Sequence, residues 1–171
     1  SRNLVDQLKN AGAELIINIS ASPYRVDRLV DRCNLIKTKV DSTGIPFLYC
    51  NLVGAQDELI FDGQSVAYDS KGNLIAQGNS FVEEIVIVDF DNQDSIELNV
   101  LQREEKIYNA LILGVKDYFI KTGHSEAVLG LSGGIDSSLT ACIAVDALGS
   151  DNVHGVSMPS KYSSEHSKND A

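Results

Sequence analysis

The stretch that most constrains this chain is residues 128–139, Val-Leu-Gly-Leu-Ser-Gly-Gly-Ile-Asp-Ser-Ser-Leu. The apolar run 127–131 has the length of a short buried strand, Ser132-Gly133-Gly134 forces a tight turn, and 138–148 is nearly all apolar, as a buried helix is. Strand, glycine turn and helix together aim backbone N–H groups and a positive helix end at an anion. Asp136 at the mouth of such a turn would repel a bare phosphate, so its carboxylate is useful only with a divalent cation between the two; hard oxygen ligands suit Mg²⁺.

A Walker A loop ends Gly-Lys-Ser/Thr, and no lysine lies between Lys121 and Lys161, which excludes that reading. The dinucleotide fingerprint G-x-G-x-x-G is absent as spaced. Gly130 to Gly134 does match G-x-S-x-G, the nucleophile elbow of serine hydrolases, with Ser132 as nucleophile. That elbow needs an acid and then a histidine downstream; only His154 and His166 follow, and Asp151 is too close to His154 in sequence to form that pair. A purely structural glycine turn is the third reading. The longer string Ser132-Gly133-Gly134-Ile135-Asp136-Ser137 resembles the pyrophosphate-binding loop of the PP-loop ATP pyrophosphatase ligases. That resemblance implies cleavage of ATP between its α and β phosphates and an adenylated substrate that a nitrogen or sulfur nucleophile attacks.

At 171 residues the chain is one ordinary domain or two incomplete ones. A net charge of −10 and a pI near 4.6 argue against a nucleic-acid or membrane-surface partner. Three cysteines without framework spacing suit reduced thiols and a cytoplasmic protein. Each of Cys33, Cys50 and Cys142 reads as a small buried hydrophobe, with Cys50, beside a polar strand exit, nearest to a functional position. No signal peptide or spanning apolar segment is visible. The first and last residues read as lying inside helices, so the chain looks like an excerpt of something larger.

From the start, Leu4, Val5, Leu8 and Ala11 recur at helical spacing before Gly12, and 15–19 is a β-branched run typical of a strand covered on both faces. Arg25, Arg28 and Arg32 follow in a stretch predicted helical to about Val40, and 45–51 is a second strand. Strands at 59–61, 65–68, 73–77 and 83–90 are predicted to form a meander, with turns at Asp62-Gly63 and Asp69-Ser70-Lys71-Gly72. A polar, aperiodic linker is placed near 91–99. Beyond it Leu101, Ile107, Leu111, Val115 and Phe119 stripe an amphipathic helix that ends at Gly123. Residues 153–158 read as a strand closing a parallel β-α-β unit, and Ser163 or Ser164 as the N-cap of a last helix.

The segment Asn18-Ile19-Ser20-Ala21-Ser22-Pro23, together with Asn51-Leu52-Val53-Gly54-Ala55-Gln56-Asp57-Glu58-Leu59-Ile60-Phe61-Asp62-Gly63-Gln64-Ser65, resembles the C-terminal part of a nitrilase-superfamily glutamine amidase. Joined to the 132–137 loop and to Met158-Pro159-Ser160-Lys161-Tyr162-Ser163-Ser164, the whole resembles the middle of the glutamine-dependent NAD⁺ synthetases. The resemblance implies an α/β fold: the end of a nitrilase-like α-β-β-α sandwich at 1–96, then the start of a Rossmann-like parallel-sheet PP-loop domain at 97–171. It implies amidation of nicotinic acid adenine dinucleotide to NAD⁺, driven by ATP, with ammonia released from glutamine, in an enzyme that is a homo-oligomer at full length. Gly130, Leu131, Ser132, Gly133, Gly134, Ile135, Asp136 and Ser137 would hold ATP, and Asp136 the Mg²⁺. Ser22 and Arg28 match the family's glutamine-holding serine and arginine, where an arginine fork suits an α-carboxylate; a capping serine and a solvated helix arginine fit the same residues. The amidase Glu, Lys and nucleophilic Cys are expected before Ser1, so the family reading assigns no catalytic residue within the chain. The alternatives are a different PP-loop amidating ligase and the Ser132 hydrolase.

Overall fold

The computed structural model describes residues 4–91 and 93–158. Two compact units make up the chain, one from Ser1–Gly54 with Leu59–Ile107, the other from Ala55–Glu58 with Tyr108–Ala171.

In the first unit, helix α1 (Leu4–Asn10) precedes strand β1 (Ile16–Ser20), helix α2 (Arg28–Thr43) and strand β2 (Phe47–Asn51). β1 and β2 pair in parallel, Ile16 opposite Phe47 and Ser20 opposite Asn51, so β1-α2-β2 is a β-α-β unit. Strands β5 (Val66–Tyr68) and β6 (Leu74–Gln77) add antiparallel, and the sheet order is β1-β2-β5-β6. α2 forms because Leu29, Cys33, Ile36 and Val40 fall on one stripe, and burying that stripe against Ile16, Phe47, Tyr49, Val66, Tyr68 and Leu74 makes the core. The Asp69–Gly72 turn closes as expected, with Gly72 at φ 79°, a left-handed value that favours glycine.

Several expectations are corrected. Among the described residues β1 is covered on one face only, and Ile17 and Ile19, on the other face, are 60% and 85% exposed. The meander does not form as predicted. Strand β3 (Val53–Gln56), absent from the sequence reading, pairs with β4 (Leu59–Asp62) as a separate hairpin. Asp57 takes φ 50° in its turn, without the glycine that would have announced it. The 83–90 stretch forms no strand; its alternation serves instead to lay Val88 and Phe90 over Ala67, Ile75 and Ala76 on the far side of the sheet. The polar stretch beyond Asp91 docks on β6, where Ile96 N–H bonds the Leu74 carbonyl at 2.8 Å, and Gln77 and Asn99 exchange two bonds of 2.8 Å.

Helix α3 (Arg103–Thr122) begins in the first unit and continues in the second, where strand β7 (Ala127–Leu131), helix α4 (Ile135–Leu148) and strand β8 (Val153–Ser157) follow. β7 and β8 are parallel, Ala127 opposite Val153, as the β-α-β pattern required. Burial differs from expectation. Val128 is 72% and Ile135 80% exposed, and Ala144 is the buried residue of α4, because two strands and one helix leave most of their apolar surface without a neighbour among the described residues. For the same reason Cys142 is exposed; Cys50 is exposed as well, and Cys33 alone of the cysteines is buried. Among the described residues no helix is long and apolar enough to cross a membrane.

Candidate functional site

The glycine turn sits where β7 hands the chain to α4. Gly130 and Leu131 are the last residues of the strand, and Ile135, Asp136 and Ser137 open the helix. Gly133 adopts φ 74°, where a side chain would cost about 1–2 kcal/mol. Gly134 is the N-cap, with φ −100° and ψ 157°, and offers no side-chain acceptor to the first-turn N–H groups, which leaves them to an anion or to solvent. The serines set the shape of the turn. Ser137 Oγ accepts from Ser132 N–H at 3.3 Å, donates to the Gly134 carbonyl at 2.9 Å and lies 3.1 Å from Ser132 Oγ. Gly134 N–H donates to Ser132 Oγ at 3.4 Å, and Ser138 Oγ to the Gly134 carbonyl at 3.1 Å. Asp136 is exposed in the first helical turn, and no hydrogen bond or ion pair among the described residues engages its carboxylate. No cluster of three metal-binding side chains exists among the described residues. A cation beside Asp136 would therefore draw most of its oxygens from phosphate and water, which is how Mg²⁺ is commonly held at nucleotides.

The hydrolase set around Ser132 is not assembled. His154 Nε2 lies 3.4 Å from Glu126 Oε2, and no described histidine bonds Ser132. His166 and the 159–164 segment of the family resemblance lie outside the described residues, as does the expected last helix.

In the first unit a cleft of about 600 Å³ opens at the C-terminal ends of β1 and β2, lined by Ser20, Ala21, Cys50, Asn51, Gln64 and Glu84 among others. Ser22 follows β1 in the loop leading to α2 and is half-buried. Arg28 is the first residue of α2; its guanidinium is exposed and takes part in no ion pair among the described residues. No hydrogen bond joins Ser22 to Arg28.

Sequence reasoning missed the buried polar cluster behind this loop. Asn51 Oδ1 accepts from Ser22 N–H at 2.9 Å, while its Nδ2 donates to the Ser22 carbonyl at 3.4 Å and to Asp62 Oδ1 at 3.1 Å. Asp62 Oδ2 accepts from Gln64 Nε2 at 2.9 Å, and Arg32 Nη2 stands 3.4 Å from Asp62 Oδ1. Arg32 also donates to the Gly63 carbonyl at 3.3 Å and lies over the Tyr49 ring, 4.8 Å from its centroid. Burial pushes the Asp62 carboxyl up, and Arg32 and the hydrogen bonds offset this only in part. The available signal was Arg32 itself, one position from Cys33 on the apolar stripe of α2, a place where an arginine needs a buried partner.

Comparison with known proteins turns these geometries into a family. A family model for carbon-nitrogen hydrolases matches residues 1–99, more than half of the chain. The chain belongs to the carbon-nitrogen hydrolase family. Downstream of that match, residues 107–171 of this carbon-nitrogen hydrolase family member match the model for NAD synthase. The chain is 45% identical over 176 residues to the glutamine-dependent NAD(+) synthetase of Synechocystis sp., an alignment covering 99% of this chain and 31% of that protein. It is 42% identical over 171 residues to the synthetase of the same name from Rhodobacter capsulatus, covering 96% and 31%. Among solved structures, the glutamine-dependent NAD⁺ synthetase of Acinetobacter baumannii in complex with adenosine diphosphate superposes with a TM-score of 0.89 at 36% identity, covering 99% of this chain and 33% of that one. The chain spans about a third of the length of the curated relatives it matches. The α/β architecture expected from the resemblance, nitrilase-like first and parallel PP-loop sheet second, is the one found.

Proposed function

We propose that this chain is the junction of a glutamine-dependent NAD⁺ synthetase, with the end of its glutaminase at 1–96 and the start of its synthetase at 97–171. The observation that supports this most is order: a carbon-nitrogen hydrolase match followed directly by an NAD synthase match in one polypeptide. In the first half, glutamine is hydrolysed to glutamate and ammonia. The Arg28 guanidinium takes the substrate α-carboxylate, Ser22 holds its polar end, and the nucleophile comes from outside this chain. In the second half, the nicotinate carboxylate of nicotinic acid adenine dinucleotide attacks the α-phosphorus of ATP and pyrophosphate leaves. Ammonia then adds to the resulting acyl adenylate, the bond to AMP breaks, and NAD⁺ is formed.

For that chemistry the turn from Gly130 to Ser137 places oriented N–H groups at the departing pyrophosphate without a lysine. Asp136 would hold Mg²⁺, which when bound supplies positive charge to the phosphate oxygens. The three free thiols support a cytoplasmic enzyme, and the family resemblance a homo-oligomer at full length.

The test is product stoichiometry in the full-length enzyme. NAD⁺, AMP and pyrophosphate should appear in equal amounts with either glutamine or ammonia. Release of ADP and phosphate, or covalent labelling of Ser132 by a fluorophosphonate, would reject the PP-loop reading.

A further inference from the structure

We infer that Asn51 is a positioning residue of the glutamine site, acting through the backbone of Ser22; this rests on the proposal that Ser22 and Arg28 hold glutamine. Ser22 lies in the loop between β1 and α2, which has no regular secondary structure of its own to fix it. Its peptide groups are fixed by a side chain instead. The Asn51 amide accepts from Ser22 N–H at 2.9 Å and donates to the Ser22 carbonyl at 3.4 Å, as a neighbouring strand would. Losing both bonds frees the direction of Ser22 Oγ and the entry of the chain toward Arg28.

Asn51 can do this because it is itself immobilised on several sides. It is the last residue of β2, is 6% exposed, and its own N–H donates to Ser65 Oγ at 3.1 Å. Its second amide proton goes to Asp62 at 3.1 Å, and Asp62 is gripped by Gln64 and by the buried Arg32 of α2. This also fixes which way the amide points, since Asp62 accepts only from nitrogen and Ser22 N–H donates only to oxygen. The loop is thus tied to β2 and, through Asp62, to the helix that Arg28 begins. A second tie, Leu52 N–H to the Ser20 carbonyl at 2.9 Å, keeps the two strand exits together without fixing Ser22.

The experiment uses the full-length enzyme. Asn51→Ala should raise the KM for glutamine roughly ten- to thirtyfold, the effect of one or two lost neutral hydrogen bonds. Its kcat at saturating glutamine should stay within about threefold, and its use of ammonia should be unaltered, because the bond-making groups and the second site are untouched. A merely structural asparagine would lower kcat as the folded fraction falls and leave KM alone, which would overturn the inference. If the alanine variant does not fold, Asn51→Ser decides: its hydroxyl keeps a donor for the buried Asp62, it is too short to bridge both Ser22 peptide groups, and it should show the same KM-selective defect. A serine variant with unaltered KM would overturn the inference as well. Arg28→Ala separates the two levels. If it leaves glutamine KM unchanged, the glutamine-site reading itself fails; if it raises KM while the Asn51 variants do not, only the role of Asn51 fails.

Discussion

Arg32 on α2 and Asp62 at the end of β4 meet at 3.4 Å with side chains only 5% and 1% exposed, so an ion pair lies inside the first unit. Attraction between such charges roughly offsets their desolvation, but removing one partner strands the other. Asp62→Ala should therefore cost about 3–5 kcal/mol, read as a lower denaturation midpoint of the first unit by urea unfolding. Arg32→Met combined with Asp62→Leu should recover much of that loss. A double variant no more stable than Asp62→Ala would show that the hydrogen bonds to Asn51 and Gln64, not the stranded charge, carry the penalty.

Two aspartates should make stability respond to pH in opposite directions. Burial raises the Asp62 carboxyl, so the folded state holds that proton more tightly than the unfolded chain. Its contribution is complete below the unfolded carboxylate value and is lost as pH rises through the folded one. For Asp117, burial also raises the carboxyl, but hydrogen bonds from Lys121 and from Ala55 N–H (2.7 Å), with the charges of Lys121 and Lys116, bring it below its usual value. Its contribution is present above the unfolded value and is lost as pH falls through the folded one. Thermal unfolding across the acid range should show wild type losing ground to Asp62→Asn as pH rises and gaining on Asp117→Asn. Parallel profiles would contradict both directions.

Arg28→Ala in the full-length enzyme should lower kcat/KM for glutamine roughly ten- to a hundredfold, the effect of losing a charge-assisted contact worth about 1.5–3 kcal/mol. Activity with free ammonia should be nearly intact, since ammonia bypasses the first site. Steady-state assays with both nitrogen sources check this, and equal losses with both would make Arg28 a structural residue.

Asp136→Asn keeps shape and removes the anion. With either nitrogen source the full-length enzyme should slow by roughly a hundred- to a thousandfold, about 3–4 kcal/mol, and should need more Mg²⁺ for half-maximal rate. Titrating Mg²⁺ against NAD⁺ formation checks it. A near wild-type rate with unchanged Mg²⁺ dependence would leave Asp136 as an ordinary helix-start residue.

What is local in this fold is legible in the order of residues. The β7-turn-α4 segment was legible because an apolar run, two glycines and a helical stretch adjoin in the chain, and β1-α2-β2 because its periods change over a few residues. The β3–β4 hairpin was hidden because Asp57-Glu58 carries no glycine signature. The alternation at 83–90 looked like a strand because period two reports a buried face, not a ladder partner. β7 and α4 are less buried than their apolar composition suggests, because composition states what a segment can cover, not what is there to cover it. Only the tertiary structure could decide the site behind Ser22. Arg32 and Asp62 are 30 positions apart and Asn51 and Ser22 are 29 apart, so nothing local links them. They meet because α2 packs on the sheet to which β2 belongs while the β1–α2 loop and the end of β4 both reach the end of β2, and polar groups enclosed there must find one another or lose their hydrogen bonds.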